Sequence, residues 1–327
     1  MERKISNKRI LVTGGAGFIG SNLTESLLRA GNGVVCLDNF STGKEENLRD
    51  FIADPNYQLI KGDIRSLNDC EEAVRGIDIV MHQAALGSVP RSITDPVSTT
   101  DVNIGGFVKI LWASKLAGVK RFIYAASSST YGNSKSLPKV EENIGLPLSP
   151  YAITKYTDEL FASNFAETYK MEVIGLRYFN VFGKRQDPEG PYAAVIPKFI
   201  RMLKDLKAPP INGDGSNTRD FTFIENVVQA NHLAALVENG EALNQVYNIA
   251  CGERTSLNRL YEILREMAGK YDRRILKINP IYGPERAGDI PHSQASIAKA
   301  KKILGYLPSH SVEDGLKECV DWFWNNL

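Results

Sequence analysis

Cysteine is scarce and scattered in this chain. Cys36, Cys70, Cys251 and Cys319 are the only four, and none forms a C-x-x-C pair. Such spacing argues against both a disulfide framework and a thiolate metal site. Three of the four lie in apolar or helical surroundings, which suits buried reduced thiols. An excess of charge of either sign is also missing. Lysine plus arginine number 39 against 38 acidic residues, for a net charge of +1, so nothing points to nucleic acid or to an anionic membrane surface. Long apolar runs are absent too. No segment approaches the roughly 20 apolar residues of a membrane span, and none precedes the first strand-like stretch, so a cytoplasmic, non-membrane protein is expected. There is no internal repeat and no low-complexity tract. What remains, 327 residues with 43% hydrophobic and 24% charged, is enough for one large α/β domain or two lobes.

The richest stretch runs from Arg9 to Gly20. Ile10, Leu11 and Val12 form a β-branched, apolar run suited to a strand buried on both faces. Glycines follow at Gly14, Gly17 and Gly20, and then a helix with Leu23, Leu27 and Leu28 on one side. Strand, glycine turn and helix N-terminus together make an anion site, because free N–H groups and the helix dipole converge where no Cβ blocks a pyrophosphate. The pattern G-x-x-G-x-x-G is one residue off the commoner dinucleotide fingerprint. A second strand over residues 34–37 ends at Asp38, roughly twenty residues past the turn, where a carboxylate takes the adenosine ribose hydroxyls. Asp38 would repel a 2′-phosphate, and Asn39-Phe40-Ser41 places no arginine beside it, so NAD rather than NADP is expected.

Strand-like and helix-like segments then alternate, which predicts a Rossmann-type doubly wound parallel sheet. A polar helix is expected over 44–51, a strand over 57–61 and a helix over 67–74. Asp63, just past that strand, either accepts from the adenine amino group or caps the following helix. The next strand, 77–81, runs into His82-Gln83-Ala84-Ala85-Leu86-Gly87-Ser88, whose small residues permit close backbone approach. His82 reads as a packed histidine, because no partner lies at metal-ligand spacing; no metal site is expected. A long helix over 96–117 carries Asn103, and a fifth strand over 121–125 feeds into Ser127-Ser128-Ser129. A helix opening at Ser149-Pro150 and a sixth strand over 172–178 follow. Beyond about Phe182 the rhythm becomes irregular. Helices over 195–206, 224–238, 257–267, 294–304 and 312–324, with a strand over 245–249, suggest a smaller mixed α/β C-terminal lobe. The expected division is 1–181 for NAD and 182–327 mainly for substrate, with some segments returning to the first unit.

Tyr151 and Lys155 stand four apart near a helix start, so both emerge on one face about a turn apart. An ammonium beside the phenol favours the phenolate and moves its pKa from about 10 toward neutrality, as a general base requires. A Ser127 hydroxyl at the preceding strand end can hold a substrate hydroxyl against that tyrosine. Ser128 and Ser129 either share this role or form a capped turn.

Taken together, Thr13-Gly-Gly-Ala-Gly-Phe-Ile-Gly20, Asp38, Asp63-Ile64, the 127–132 segment, Tyr151/Lys155 and the 177–183 motif resemble the extended short-chain dehydrogenase/reductase superfamily, and within it the nucleotide-sugar 4-epimerases. The resemblance spans essentially the whole chain. It implies a tightly held NAD and a hydride cycle in which Tyr151 takes the proton of the sugar 4-OH. Lys155 would bind the nicotinamide ribose and Ser127 the 4-OH. It further implies cofactor contacts at Gly14, Gly17, Phe18, Ile19, Asp38, Asn39, Ser41, Gly43, Asp63, Ile64, Gln83, Ala84, Ala85, Asn103 and Tyr178. For the UDP end it implies Asn180 and Arg286 at the pyrophosphate, Ala194 and Val195 at uracil, Arg219 at a phosphate and Asp289 at the uridine ribose. Two guanidiniums grip a diphosphate bidentately, which lysine does not.

In that family a bulky tyrosine at one C-terminal position confines the enzyme to unacetylated hexoses. The matching residue here is Ser293, and with Gly87, Ser88 and Gln186 it resembles the subgroup acting on UDP-GlcNAc and UDP-GalNAc or their uronic acids. A 4,6-dehydratase would need an Asp-Glu pair where Ser128-Ser129 stands, and a decarboxylase a carboxylate in the same segment. A non-catalytic NAD-binding protein would usually lack Tyr151 or Lys155. Resemblance also implies a homodimer through a four-helix interface of the 96–117 and Tyr151 helices. Ile153, Tyr156, Leu160 and Phe161 fit that interface and equally fit packing on the sheet. Lys184, Arg185 and Arg91 are candidates to meet a C6 carboxylate, with solvated surface charge the blander account.

Overall fold

The computed structural model describes residues 3–189, 193–285 and 291–327. Apolar strands alternate with helices: β1 (Arg9–Thr13), α1 (Phe18–Arg29), β2 (Gly33–Asp38), β3 (Tyr57–Lys61), α2 (Leu67–Ala73) and β4 (Ile79–His82). Then come α3 (Val89–Thr94), α4 (Pro96–Thr100), α5 (Phe107–Leu116), β5 (Arg121–Ser127), α6 (Pro150–Tyr169) and β6 (Glu172–Tyr178). All strand pairings in the main sheet are parallel, in the order Gln245–Ile249, β6, β5, β4, β1, β2, β3. The chain starts in the middle of this sheet and winds outward both ways from β1. Ligands of such sheets gather at the strands' carboxyl ends, at the switch in strand order. Here that switch lies between β1 and β4.

β1 shows why these residues make a central strand. Ile10, Leu11, Val12 and Thr13 are all fully buried, because helices cover both faces. One core layer takes Ile10 and Val12 with Leu23, Leu27 and Leu28 of α1, and the other takes Leu11 with Phe107, Ile110 and Phe122.

The structure departs from the sequence reading at several points. The expected helix over 44–51 is a single 3₁₀ turn, Glu45–Leu48. The helix expected over 96–117 is interrupted by a π-turn at Asp101–Gly106, where Gly106 admits the Ile64 side chain at a distance a Cβ would forbid. The helix expected from 294 begins at Ala298, because residues 294–296 pair their backbone with Lys139, which donates to the Gln294 carbonyl and accepts from Ser296 N–H. The strand Gln245–Ile249 runs parallel to β6 as the sheet's seventh strand, with the helix Ile224–Leu236 as its crossover. That β-α-β unit escaped the sequence reading because irregular segments lengthen the connection. Cys36, Cys70 and Cys319 are buried, and all four cysteines are free. No helix among the described residues is long and apolar enough to cross a membrane.

Candidate active site

At the carboxyl end of β1 the backbone turns sharply. Gly14 has φ +69°, and a Cβ there would sit 2.8 Å from the Ala84 backbone. A Cβ on Gly20 would lie 2.0 Å from the Gly14 carbonyl oxygen, so the third glycine lets α1 start against the turn. Gly17 is the N-cap of α1, with no capping side chain and no acidic residue in the first turn. First-turn N–H groups have no intrahelical acceptor, so those of Phe18, Ile19 and Gly20 are available at a positive helix end. Asp38, at the end of β2, accepts from Ala16 N–H at 2.9 Å and Phe40 N–H at 2.8 Å. Its carboxylate is thereby aimed, and each oxygen keeps a lone pair.

Gly14, Gly17, Phe18, Ile19, Asp38, Asn39, Ser41, Asp63, Ile64, Gln83, Ala84 and Ala85 line one continuous cleft. Leu37, Thr42, Leu86 and Val102 also line it and were not foreseen from sequence; Thr42 and Leu86 sit beside named positions and could have been found by extending those loops. Among the described residues no lysine or arginine lines this cleft, whereas two carboxylates do. This fits a dinucleotide with free ribose hydroxyls and opposes a 2′-phosphate. Asp63 accepts from Asn39 Nδ2 at 2.8 Å, and a hydrogen bond from Arg65 holds its carboxyl down at about 2. Asp63 does not cap α2; Ser66 does, by accepting from Asp69 N–H.

Gly43, Gly87, Ser88, Gln186 and Ala194 line an adjoining cleft that shares Gly17, Phe18 and Ser41 with the first. Arg91 lines it as well. Val195 begins the next helix after its N-cap, Ala194. Four expected cofactor residues, Asn103, Tyr151, Lys155 and Tyr178, are not among those lining either cleft. Asn103, fully buried in the π-turn, accepts from Leu86 N–H at 2.8 Å and donates to Thr154 Oγ1 at 3.0 Å. Tyr178 is buried with its hydroxyl accepting from Asn231 Nδ2 at 2.9 Å, and burial pushes its phenol up to about 12. Asn103 and Tyr178 hold walls together from behind.

The chemical cluster is set by one helix start. Ser149 caps α6 by accepting from Ala152 N–H, and Pro150 occupies the first turn, a pairing that fixes where a helix begins. Tyr151 therefore stands in the first turn, half-buried, and Lys155 one turn on, buried. Lys155 Nζ donates to the Ala125 carbonyl at 3.0 Å and to Asp158 Oδ2 at 3.1 Å. The first bond pins α6 to β5 two residues before Ser127. Ser127 Oγ accepts from Ser129 N–H at 3.2 Å and from Ser129 Oγ at 2.9 Å. Its own proton is thus left to donate elsewhere, and the 3₁₀ turn Ser128–Tyr131 packs on α6. Ser129 thus sits in the turn that Ser127 caps and donates its hydroxyl to Ser127 Oγ. His82 is a packed histidine, paired with Thr13 Oγ1 at 2.8 Å; burial first, then Lys155, pushes it down to about 3.

At the other end, Arg219 stands on the strand Thr218–Arg219, which accepts the Ser293 N–H at the Thr218 carbonyl, 3.1 Å away. Asn180 is exposed and donates to the Asp220 carbonyl at 3.0 Å. Asp220, fully buried, accepts N–H groups from Cys251, Gly252 and Ala295, each at 3.1 Å. Burial nonetheless pushes its carboxyl up to about 7. Arg286 and Asp289 lie outside the described residues. Lys184 and Arg185 are not solvated surface charges. Lys184 pairs with Glu25 at 3.0 Å, and Arg185, buried, pairs with Glu25 at 2.7 Å and Asp50 at 2.6 Å. A further pair missed from sequence braces the floor: Arg177 of β6 and Glu159 of α6 meet bidentately at 2.7 and 2.8 Å.

Residues 10–250 match the model of the NAD dependent epimerase/dehydratase family. A putative UDP-glucose 4-epimerase of Methanocaldococcus jannaschii is 36% identical over 97% of this chain and 99% of that protein. Among solved structures, the UDP-N-acetylglucosamine 4-epimerase of Methanobrevibacter ruminantium, in complex with UDP-N-acetylmuramic acid, superposes with a TM-score of 0.92 at 38% identity, covering 99% of this chain and 100% of that one. The UDP-glucose 4-epimerase of Thermotoga maritima, with UDP-glucose, gives 0.89 at 38% identity, covering 97% and 99%.

Proposed function

The chain belongs to the NAD dependent epimerase/dehydratase family, and we propose that it is a UDP-N-acetylhexosamine 4-epimerase interconverting UDP-GlcNAc and UDP-GalNAc, with UDP-Glc and UDP-Gal fitting the same site. The relatives and the resemblance to their motifs support a UDP-sugar 4-epimerase, an isomerase with NAD as its bound redox group. The N-acetyl assignment rests on one observation: a small, half-buried Ser293 beside the Arg219 strand, where a tyrosine would take up the room of an acetamido group.

In this reading residues 1–181 hold the cofactor, and residues from 182 onward mainly hold the sugar nucleotide. The α1 N-terminus and Gly14–Gly17 turn take the pyrophosphate of NAD, Asp38 the adenosine ribose, and Lys155 the nicotinamide ribose. NAD, when bound, supplies a hydride acceptor and donor at C4 of the sugar, so that the configuration there is lost and reset. Tyr151 takes the 4-OH proton and returns it. Ser127, oriented by Ser129, donates to the same oxygen and keeps it within reach of the phenol. Asn180 and Arg219, with Arg286, hold the diphosphate; Ala194-Val195 and Asp289 hold the uridine.

A uronic acid at C6 is the second reading, and Arg91 on the adjoining cleft favours it. Against it, Arg185 and Lys184 are already committed to Glu25 and Asp50, leaving a neutral C6 hydroxyl as the better fit. A homodimer through α4–α5 and α6 is proposed on the exposure of Val97, Ile153 and Leu160, which are 77%, 52% and 54% exposed.

The test is proton NMR of purified protein incubated with UDP-GlcNAc and no added cofactor. UDP-GalNAc rising to a stable ratio supports the proposal. No conversion, with turnover of UDP-Glc or UDP-glucuronate instead, moves the substrate. Ser293→Tyr is expected to cut turnover of the acetylated sugars at least about tenfold while leaving UDP-Glc within about twofold; equal loss on both removes Ser293 as the selector.

A further inference from the structure

We propose that Asp158 is a positioning residue that governs how Lys155 presents its charge, and through Lys155 how readily Tyr151 gives up its proton. The inference rests on the roles given above to Tyr151 and Lys155. An ammonium has three donors. The Ala125 carbonyl takes one at 3.0 Å and Asp158 Oδ2 another at 3.1 Å, which leaves one for a cofactor hydroxyl. Asp158 follows Lys155 by three positions on the same helix face, and both side chains are sealed from solvent, at 3% and 0% exposure.

A neutral amide oxygen would accept the same hydrogen bond, so the carboxylate does something more than anchor. Asp158 Oδ1 is buried with no partner, an arrangement that costs stability. Burial pushes the Asp158 carboxyl up to about 7, while Lys155 pulls the other way. The other charges around the pair are compensated or absent. Glu159 on α6 is bound by Arg177 of β6. Tyr124 of β5 faces the Asp158 and Glu159 carboxylates and keeps its proton, its phenol raised by burial and by both. His82 of β4 faces Lys155 and is neutral. When ionised, Asp158 therefore offsets part of the Lys155 field at the phenol one turn away.

Asp158→Asn keeps shape and acceptor and deletes the charge. With the offset gone, the phenolate is favoured, and the acid limb of kcat against pH is expected to move down by roughly one pH unit, with KM for the UDP-sugar within about twofold of wild type. The phenolate ultraviolet band of Tyr151, taken as the difference from Tyr151→Phe, moves by the same amount. Asp158→Ala also removes the anchor and is expected to lose kcat about tenfold beyond Asp158→Asn. A limb and a phenolate titration that superimpose on wild type overturn the inference. If wild-type protein turns over no UDP-sugar, the functional reading fails, yet the phenolate titration still decides Asp158. If Asp158→Ala does not fold, the isosteric Asn variant still does so.

Discussion

At the proposed dinucleotide end of the site the backbone forms the lining, whereas the proposed sugar-nucleotide end gathers side chains from distant segments. Gly14, Gly17, Asp38, Asp63 and Ala84 sit at or just past the carboxyl ends of β1, β2, β3 and β4, neighbours in one parallel sheet. Their relative positions follow from strand register and one glycine turn. Asn180, Arg219 and Ser293 come from segments far apart in the chain. A single buried carboxylate, Asp220, ties the latter two to the Cys251-Gly252 turn, while its carbonyl holds Asn180. A site made of backbone tolerates side-chain change outside its glycines. A site gathered by one carboxylate has one point of failure.

The sharpest way to test this contrast is Gly14→Ala. The added Cβ meets backbone rather than a movable side chain, at a φ of +69°. We expect near-complete loss of NAD released on denaturation and a stability loss of about 2–4 kcal/mol by thermal melting; full NAD content would remove the backbone account. Asp220→Asn should spare the dinucleotide end. Its amide would turn an N–H₂ toward N–H donors, so KM for the UDP-sugar is expected to rise about tenfold, with kcat within about threefold and NAD content unchanged. Steady-state kinetics with NAD quantified in the same preparation checks this, and loss of NAD would erase the distinction between the two ends.

The smallest effect concerns pH. Arg65 holds Asp63 at about 2, below an unfolded carboxyl near 3.9. A depressed folded value stabilises above the unfolded one, and that contribution disappears as pH falls from about 4 through about 2. The Arg65–Asp63 pair is partly solvated, its guanidinium more than its carboxylate, so screening limits it to under about 1 kcal/mol. Arg65→Ala should flatten the stability slope in that window, measured by denaturant unfolding across pH.

Much of the dinucleotide end was legible because each of its parts carries a local signal. A β-branched run, a glycine triplet and an acidic strand end are read within about thirty residues of one another. The start of α6 was legible for the same reason, since Ser149-Pro150 is a cap and a first-turn proline in sequence. Asp158, Asp220 and the Arg177–Glu159 pair were not singled out. A carboxylate in a polar motif looks like any other until folding buries it beside a lysine or brings three N–H groups to it. Arg185 shows the reverse error: a loop arginine reads as solvated charge, yet two acids from α1 and the turn beyond the Glu45–Leu48 segment bury it.

The doubly wound sheet, the preference for a dinucleotide without a 2′-phosphate, and the Tyr151/Lys155 pair on one helix face were all legible in the order of residues. All of these depend on spacing along the chain, through strand alternation, helix periodicity and the conformations only glycine adopts. Packing of the folded chain is what returns the strand Gln245–Ile249 to the sheet. It also brings Asp220 against three backbone N–H groups and seals Lys155 and Asp158, neighbours on one helix face, from solvent. These are contacts between groups whose approach depends on packing, and desolvation gives them their force only after the chain has closed around them.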